Sequence, residues 1–254
     1  MGAGHAHPLY LDGDSAVHRL PPEVKIVAAV AMTVAVVATP REVFWAFGAY
    51  ALLLAGVAVV AGVGAGWLGK RALIETPFVV LAVLLPVVGS GERVQWIGVS
   101  LSVDGLYGAW NIFAKGTLGV IVSLLLAGTT PMRDLLLGLE RLRAPQVLVQ
   151  IATFMLRYLD VIGDQARRMR IARVSRGHDP GFLWQARAFA TSVGSLFIRS
   201  FERGERVYLA MLSRGYTGRM PVSAEVVATR SHWAVALCLP LAATIVTVMA
   251  WLQR

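Results

Sequence analysis

The chain has 254 residues, of which 56% are hydrophobic and only 15% charged, against about 25% charged in soluble domains. It therefore carries more apolar surface than one globular core can hide, and the surplus must face lipid. The formal charge is nonetheless +9, with arginine far outnumbering lysine, a balance suited to cytoplasmic loops, acidic protein surfaces or anionic headgroups and not read here as a nucleic-acid signature. Cys238 is the single cysteine, which excludes an internal disulfide, CxxC redox chemistry and a cysteine-built zinc site within one chain.

In chain order, residues 1–22 are polar and rich in proline and glycine, longer than the n-region of a signal peptide, and are expected to be retained. His5 and His7 stand two apart near Asp12, a spacing that could hold a divalent ion, although histidines in a terminal tail more often do nothing specific. A helix crossing the hydrocarbon needs about 17 to 25 mostly apolar residues, and five stretches qualify: 24–39, 43–63, 72–88, 106–128 and 233–252. Arg19 and Lys25, then Lys70 and Arg71, then the arginines of 129–231 fall on one side, with Arg41, Arg93 and Arg254 sparse on the other. The positive-inside bias then places the N-terminus in the cytoplasm and the C-terminus outside.

Residues 129–231 hold sixteen arginines and eight acidic residues. At about 2.5 to 3.5 kcal/mol per charge at the bilayer centre, most of this stretch cannot span. Its apolar windows 147–155 and 182–198 are flanked on both sides by arginines, so they are expected to lie along or under the membrane. Three helices are predicted here. Thr130 as N-cap with Pro131 at the first helical position opens one from Met132 to about Arg143, with Leu135, Leu136, Leu139 and Leu142 on one face. The second runs from about Gln146 to Arg176 and the third from about Gly181 to Arg214, each turning from apolar to basic along its length. The predicted architecture is an all-α integral membrane protein: about five transmembrane helices plus three cytoplasmic coupling helices, two of them long. It divides into 1–128, 129–231 and 232–254.

Both long helices end in the same tripeptide, Ser175-Arg176-Gly177 and Ser213-Arg214-Gly215, thirty-eight residues apart. Superposing the tripeptides also superposes Arg168 on Arg206 and Ala172 on Ala210. An arginine just before a terminating glycine sits at the negative end of the helix dipole, where the chain can turn away and project a guanidinium outward. One such ending is ordinary helix punctuation. Two matched endings point to two equivalent receptors, carboxylate- or carbonyl-lined, as a dimer or pseudo-dimer of ATPases beneath the membrane would supply.

The segments RSFERGERVYLAMLSRGYTG (199–218), RIARVSRG (170–177), TTPMRDLLLGLERLRAP (129–145) and HPLYLDGDSAVHRLPPEVKIV (7–27) together resemble the transmembrane T component of energy-coupling factor (ECF) transporters, in particular its cobalt-type CbiQ members. The likeness covers nearly the whole chain. In that family the tips are usually Ala-Arg-Gly; both alanines are serine here, a small-for-small change that leaves the arginine free. The resemblance implies that Arg176 and Arg214 dock two ABC-type ATPases, or an ATPase homodimer. Ser175, Gly177, Ser213 and Gly215 would shape the tips, with Arg168 and Arg206 as supporting basic residues. It further implies a small substrate-binding membrane subunit as partner and cobalt as the carried ion, with nickel or a vitamin as alternatives. ATP and magnesium would sit on the ATPases and the metal on the substrate subunit, leaving this chain a non-catalytic subunit with no cofactor or metal site of its own.

Other motifs read more blandly. GAGWLGKR (64–71) fits a phosphate-binding loop for seven positions, but Arg71 replaces the Ser or Thr hydroxyl and no strand precedes it, so a basic loop between spans is expected. Lys115, with Asn111 one turn before it, lies inside a predicted span, and Glu75 lies near the end of another; their depths differ too much for a direct pair. Asp160 and Asp164 have Arg157, Arg167 and Arg168 at helical spacing, which predicts an ion-pair ladder. No GxSxG or HExxH occurs. A membrane enzyme holding lipid phosphate with the arginines of 167–173, and a receptor or assembly factor without transport, stand as the competing readings.

Overall fold

The computed structural model describes residues 9–89, 93–96, 99–177, 186–218 and 228–253. Its helices are α1 (Pro22–Ala38), α2 (Phe44–Ala61), α3 (Ala65–Ala72), α4 (Thr76–Val88), α5 (Val103–Thr129), α6 (Met132–Arg141), α7 (Gln146–Val174), α8 (Ala186–Leu212) and α9 (Arg230–Leu252). A 3-10 turn (Leu73–Glu75) joins α3 to α4. A short antiparallel hairpin of β1 (Arg93–Trp96) and β2 (Val99–Ser102) joins α4 to α5, with Arg93 opposite Ser102. Two compact units result, Leu9–Leu142 with Ala224–Arg254, and the unit holding Arg143–Ser223.

In the larger unit α1 packs against α9, α5 and α6, α4 against α5, and α2 against α5 and α9. Small residues let these helices approach: Ala35, Ala46, Ala58, Ala114, Ala243 and Ala250 lie in the core beside Met32, Phe47, Leu54 and Leu118. Buried hydroxyls add directional ties. Tyr50 OH lies 2.7 Å from Thr39 Oγ1 and 2.8 Å from Thr247 Oγ1, linking α2 to α1 and α9. Outward-facing side chains are apolar, with Leu52 76%, Val59 80% and Leu252 82% exposed, as a surface solvated by acyl chains requires.

Among the described residues, five helical stretches are long and apolar enough to cross a membrane: α2, the run Ala65–Val88, α5, α7 and α9. Four coincide with predicted spans. The predicted span 24–39 forms α1, whose 17 residues sit at the lower end of the spanning range. Length and composition instead admit α7, which the sequence had placed outside the bilayer; it is the least apolar of the five, with Arg157, Asp160, Asp164, Arg167, Arg168, Arg170 and Arg173 from its twelfth residue onward.

Several local expectations are corrected. The basic loop at 64–71 is mostly helix α3, where the Arg71 guanidinium stacks over the Trp67 ring at 4.1 Å. The N-cap of α6 is Pro131; Thr130 instead ends α5 and is buried. Cys238 is exposed on α9. Lys115 and Glu75 do not pair, as their depths suggested: Lys115 Nζ donates to Val37 O at 2.8 Å, and Thr117 donates to Glu75 Oε2 at 3.0 Å. Of the charge ladder, Arg167 and Asp164 meet at 3.5 Å.

The segment before α1 folds back onto the bundle. Leu11 N donates to Gly128 O at 3.0 Å, and His18 bridges Ser15 Oγ (2.7 Å) and Leu11 O (3.1 Å). Arg19 grips Asp14 through two 2.7 Å contacts, which hold the Asp14 carboxyl below its ordinary range, first by hydrogen bonding and then by charge. His5 and His7 lie outside the described residues.

Gly138 sets how closely α6 lies on α1. A Cβ there would stand 2.8 Å from Ile26 Cδ1 and 3.0 Å from both Glu23 N and Pro22 C, beside the buried Glu23–Arg141 ion pair at 3.2 Å. Overpacking against backbone costs about 1 to 3 kcal/mol, while alanine returns up to about 1 kcal/mol of helix propensity. Gly138→Ala is therefore expected to lower stability by about 1 kcal/mol, read as an earlier thermal unfolding of the detergent-solubilised chain; a later transition would contradict the close contact.

Candidate partner-docking tips

The smaller unit is built on α7 and α8. Gln165 on α7 accepts from Arg203 on α8 at 3.2 Å, the Arg173 guanidinium lies over the Phe189 ring at 5.5 Å, and Tyr216 OH donates to Gln150 Oε1 at 2.8 Å. Numbers rise along one partner as they fall along the other, so the helices run antiparallel. Their ends consequently lie at opposite ends of the pair: Gln150, beside the α8 end, is about 39 Å along α7 from Arg176 at 1.5 Å per residue.

The two endings match in backbone detail. Ser175 N donates to Ile171 O at 2.9 Å and Ser213 N to Leu209 O at 3.0 Å, each four residues back. Arg176 N donates to Arg173 O and Arg214 N to Met211 O, both at 3.0 Å and three residues back. Gly177 N reaches Val174 O and Gly215 N reaches Leu212 O, again at 3.0 Å. The two glycines hold φ of 76° and 82°, the left-handed region that a side chain penalises. Nothing lies within 4 Å of where their Cβ atoms would be, so backbone angle and not crowding selects glycine.

Each serine turns its hydroxyl back to its own helix, Ser175 Oγ to Ile171 O and Ser213 Oγ to Ala210 O, both at 3.0 Å. Both hydroxyls are thus spent on the last turn of their own helix. Arg176 and Arg214 are exposed at the two apices, and Arg168 and Arg206 are exposed on the flanks. The predicted third helix is described from Ala186, with 181–185 outside the described residues.

The repeat read from sequence is also a spatial relation. Gln165 and Arg203 are thirty-eight residues apart, the same offset that relates the tripeptides, and they touch each other. Equivalent positions meeting in an antiparallel pair define an approximate two-fold axis through that contact. Eleven residues separate Gln165 from Arg176 and eleven separate Arg203 from Arg214, giving two arms of about 16 Å each. Nothing in the sequence paired Gln165 with Arg203, although the offset was available to suggest it.

Apolar helices long enough to span, together with a two-armed helical pair bearing matched cationic ends, define a multi-pass membrane component. The chain matches the CbiQ family, described as "Cobalt transport protein", over residues 13–223. It belongs to that family. It is 28% identical over 223 residues to the energy-coupling factor transporter transmembrane protein EcfT of Bacillus selenitireducens, covering 82% of each chain. It is 31% identical over 126 residues to the cobalt transport protein CbiQ of Rhodobacter capsulatus, covering 49% of this chain and 51% of that one. An uncharacterized protein of Methanocaldococcus jannaschii is 32% identical over 117 residues; the matched segment spans 44% of its length.

Proposed function

We propose that this chain is the energy-coupling transmembrane subunit of an ECF-type importer of cobalt ions, with its α7–α8 pair on the cytoplasmic side. The observation carrying this reading is the pair of geometrically equivalent tips, each presenting one exposed arginine on a glycine-terminated helix. Two equivalent tips fit two ATPases, or one homodimer, and each guanidinium offers five donors in a fixed fork to carboxylates or carbonyls in a groove. ATP and magnesium are bound by those ATPases, and cobalt by a small partner membrane subunit.

Closure of the ATPases draws the tips together. Because α7 and α8 meet at Gln165 and Arg203, that displacement changes the angle between the two helices and transmits motion to the substrate subunit resting on them. The chain performs no bond chemistry; it positions two arginines and carries force.

Deletion of this chain from cells bearing the full transporter is expected to abolish ATP-dependent uptake of labelled cobalt, with uptake restored by the wild-type chain. Cobalt uptake that persists after deletion would sink this reading. Uptake of labelled nickel in place of cobalt would reassign the ion and retain the mechanism.

A further inference from the structure

Between α7 and α8 lies an open groove of about 770 Å³ whose lining includes Arg168, Arg173 and Arg176 from α7, Arg199 and Arg203 from α8, and one carboxylate, Asp164. That carboxylate is engaged by Arg167 at 3.5 Å. Five arginines therefore line a space whose described lining holds a single carboxylate. Two of them are held in place: Arg203 by its hydrogen bond to Gln165, and Arg173 by its seat over Phe189. Yet Arg203 Nη1 and Arg173 Nε are buried donors without an acceptor among the described residues. Buried donors in native proteins are almost always satisfied, so the groove is built for an anion with several acceptor oxygens.

A single carboxylate occupies one guanidinium fork; several converging forks suit the oxygens of a phosphate. The surroundings add a second element. Phe189 and Val193 on α8 are exposed and line an adjoining groove that shares Met169, Arg173 and Ser192 with this one, so apolar side chains adjoin the cationic groove as they do where a helix lies at headgroup level.

We propose that this groove is a phosphate-binding site, filled by the phosphodiester of an anionic lipid or by free phosphate. The inference does not depend on ATPase docking at the tips and would stand if the tips bound nothing. Arg176 borders the groove but belongs to a tip, so it is left unchanged in the test.

The test uses the full purified chain in detergent, titrated calorimetrically with a short-chain phosphatidylglycerol, the matched phosphatidylcholine and inorganic phosphate. The wild-type chain is expected to bind phosphatidylglycerol at least about tenfold more tightly than phosphatidylcholine, and Arg168→Gln with Arg199→Gln to weaken that binding about tenfold or more. Neither arginine makes a described contact on which folding would depend, and Arg168→Lys with Arg199→Lys should restore part of the affinity. Arg133→Gln on α6 should leave binding unchanged.

Binding of inorganic phosphate without binding of phosphatidylglycerol would assign the site to free phosphate, and displacement of the lipid by phosphate would show one site that takes either. Phosphatidylglycerol binding that millimolar phosphate does not displace would assign it to lipid. Absence of binding by both, or a double glutamine variant that binds as the wild type does, would overturn the proposal.

Discussion

Replacing Arg176 and Arg214 together by glutamate is expected to release both ATPases from the purified complex and abolish uptake. Each tip is small: the serine hydroxyl is turned inward, the glycine contributes only its backbone angle, and the arginine side chain is what projects. Truncating an interfacial hot-spot arginine typically costs at least about 2 kcal/mol, or about thirtyfold in affinity, and reversal adds repulsion from whatever carboxylates the groove presents. On the docking proposed above, two tips would engage two linked receptors, and either one would raise the effective concentration of the other. A single reversal should therefore weaken the complex measurably, and the double reversal should fall below detection. Copurification after affinity capture checks this, alongside the thermal unfolding of the variant chain. If the ATPases remained bound and cobalt still entered, docking through these arginines would be wrong.

Lys25→Met is expected to lower the stability of the membrane unit by about 3 kcal/mol. Lys25 is 7% exposed, and its ammonium donates to His18 O (3.0 Å), Thr129 O (3.0 Å) and Thr130 Oγ1 (3.2 Å). It thereby ties the segment before α1 to the C-terminal end of α5, where the helix dipole favours a cation. Methionine fills much of the same volume but leaves the three acceptors without this donor, and hydrogen bonds to charged groups contribute about 1.5 to 3 kcal/mol each before compensation. An earlier thermal transition, with faster proteolysis before α1, is the expected readout. Unchanged unfolding would mean that water replaces the ammonium at no loss.

The sequence located the spans because lipid solvation demands nearly continuous apolar residues: 106–128 and 233–252 each fall within three residues of α5 and α9. It located the tips because a glycine after Arg176 or Arg214 is a backbone signal that needs no tertiary context. What it missed depends on distant partners. Lys25 read as a topology marker, since nothing local reveals that Thr129, more than a hundred residues away, supplies its acceptor. Thr39, Tyr50 and Thr247 carry no local signal, because their hydrogen bonds form only where three helices converge. The hairpin 93–102 lay in a connection too short to register beside the spans, despite alternating Val94 and Trp96 with Val99 and Leu101. The stretch 64–71 was read as a basic loop from its place between two spans, whereas Trp67 and Arg71, one turn apart, stack on each other in a helix.

The equal arms running from the Gln165–Arg203 contact make aim a matter of angular phase. Each residue of an α-helix advances about 100° around the axis, so removing one residue between Gln165 and Arg176 would swing that guanidinium by more than a quarter-turn while shortening the arm by only about 1.5 Å. The opposite tip would keep its bearing, and the pair would no longer present two like faces to a symmetric receptor. Such an arm can be lengthened or shortened without loss of aim only in steps of three or four residues. Symmetry further asks that α7 and α8 take the same step together, so insertions here are constrained by rotation long before they are constrained by reach.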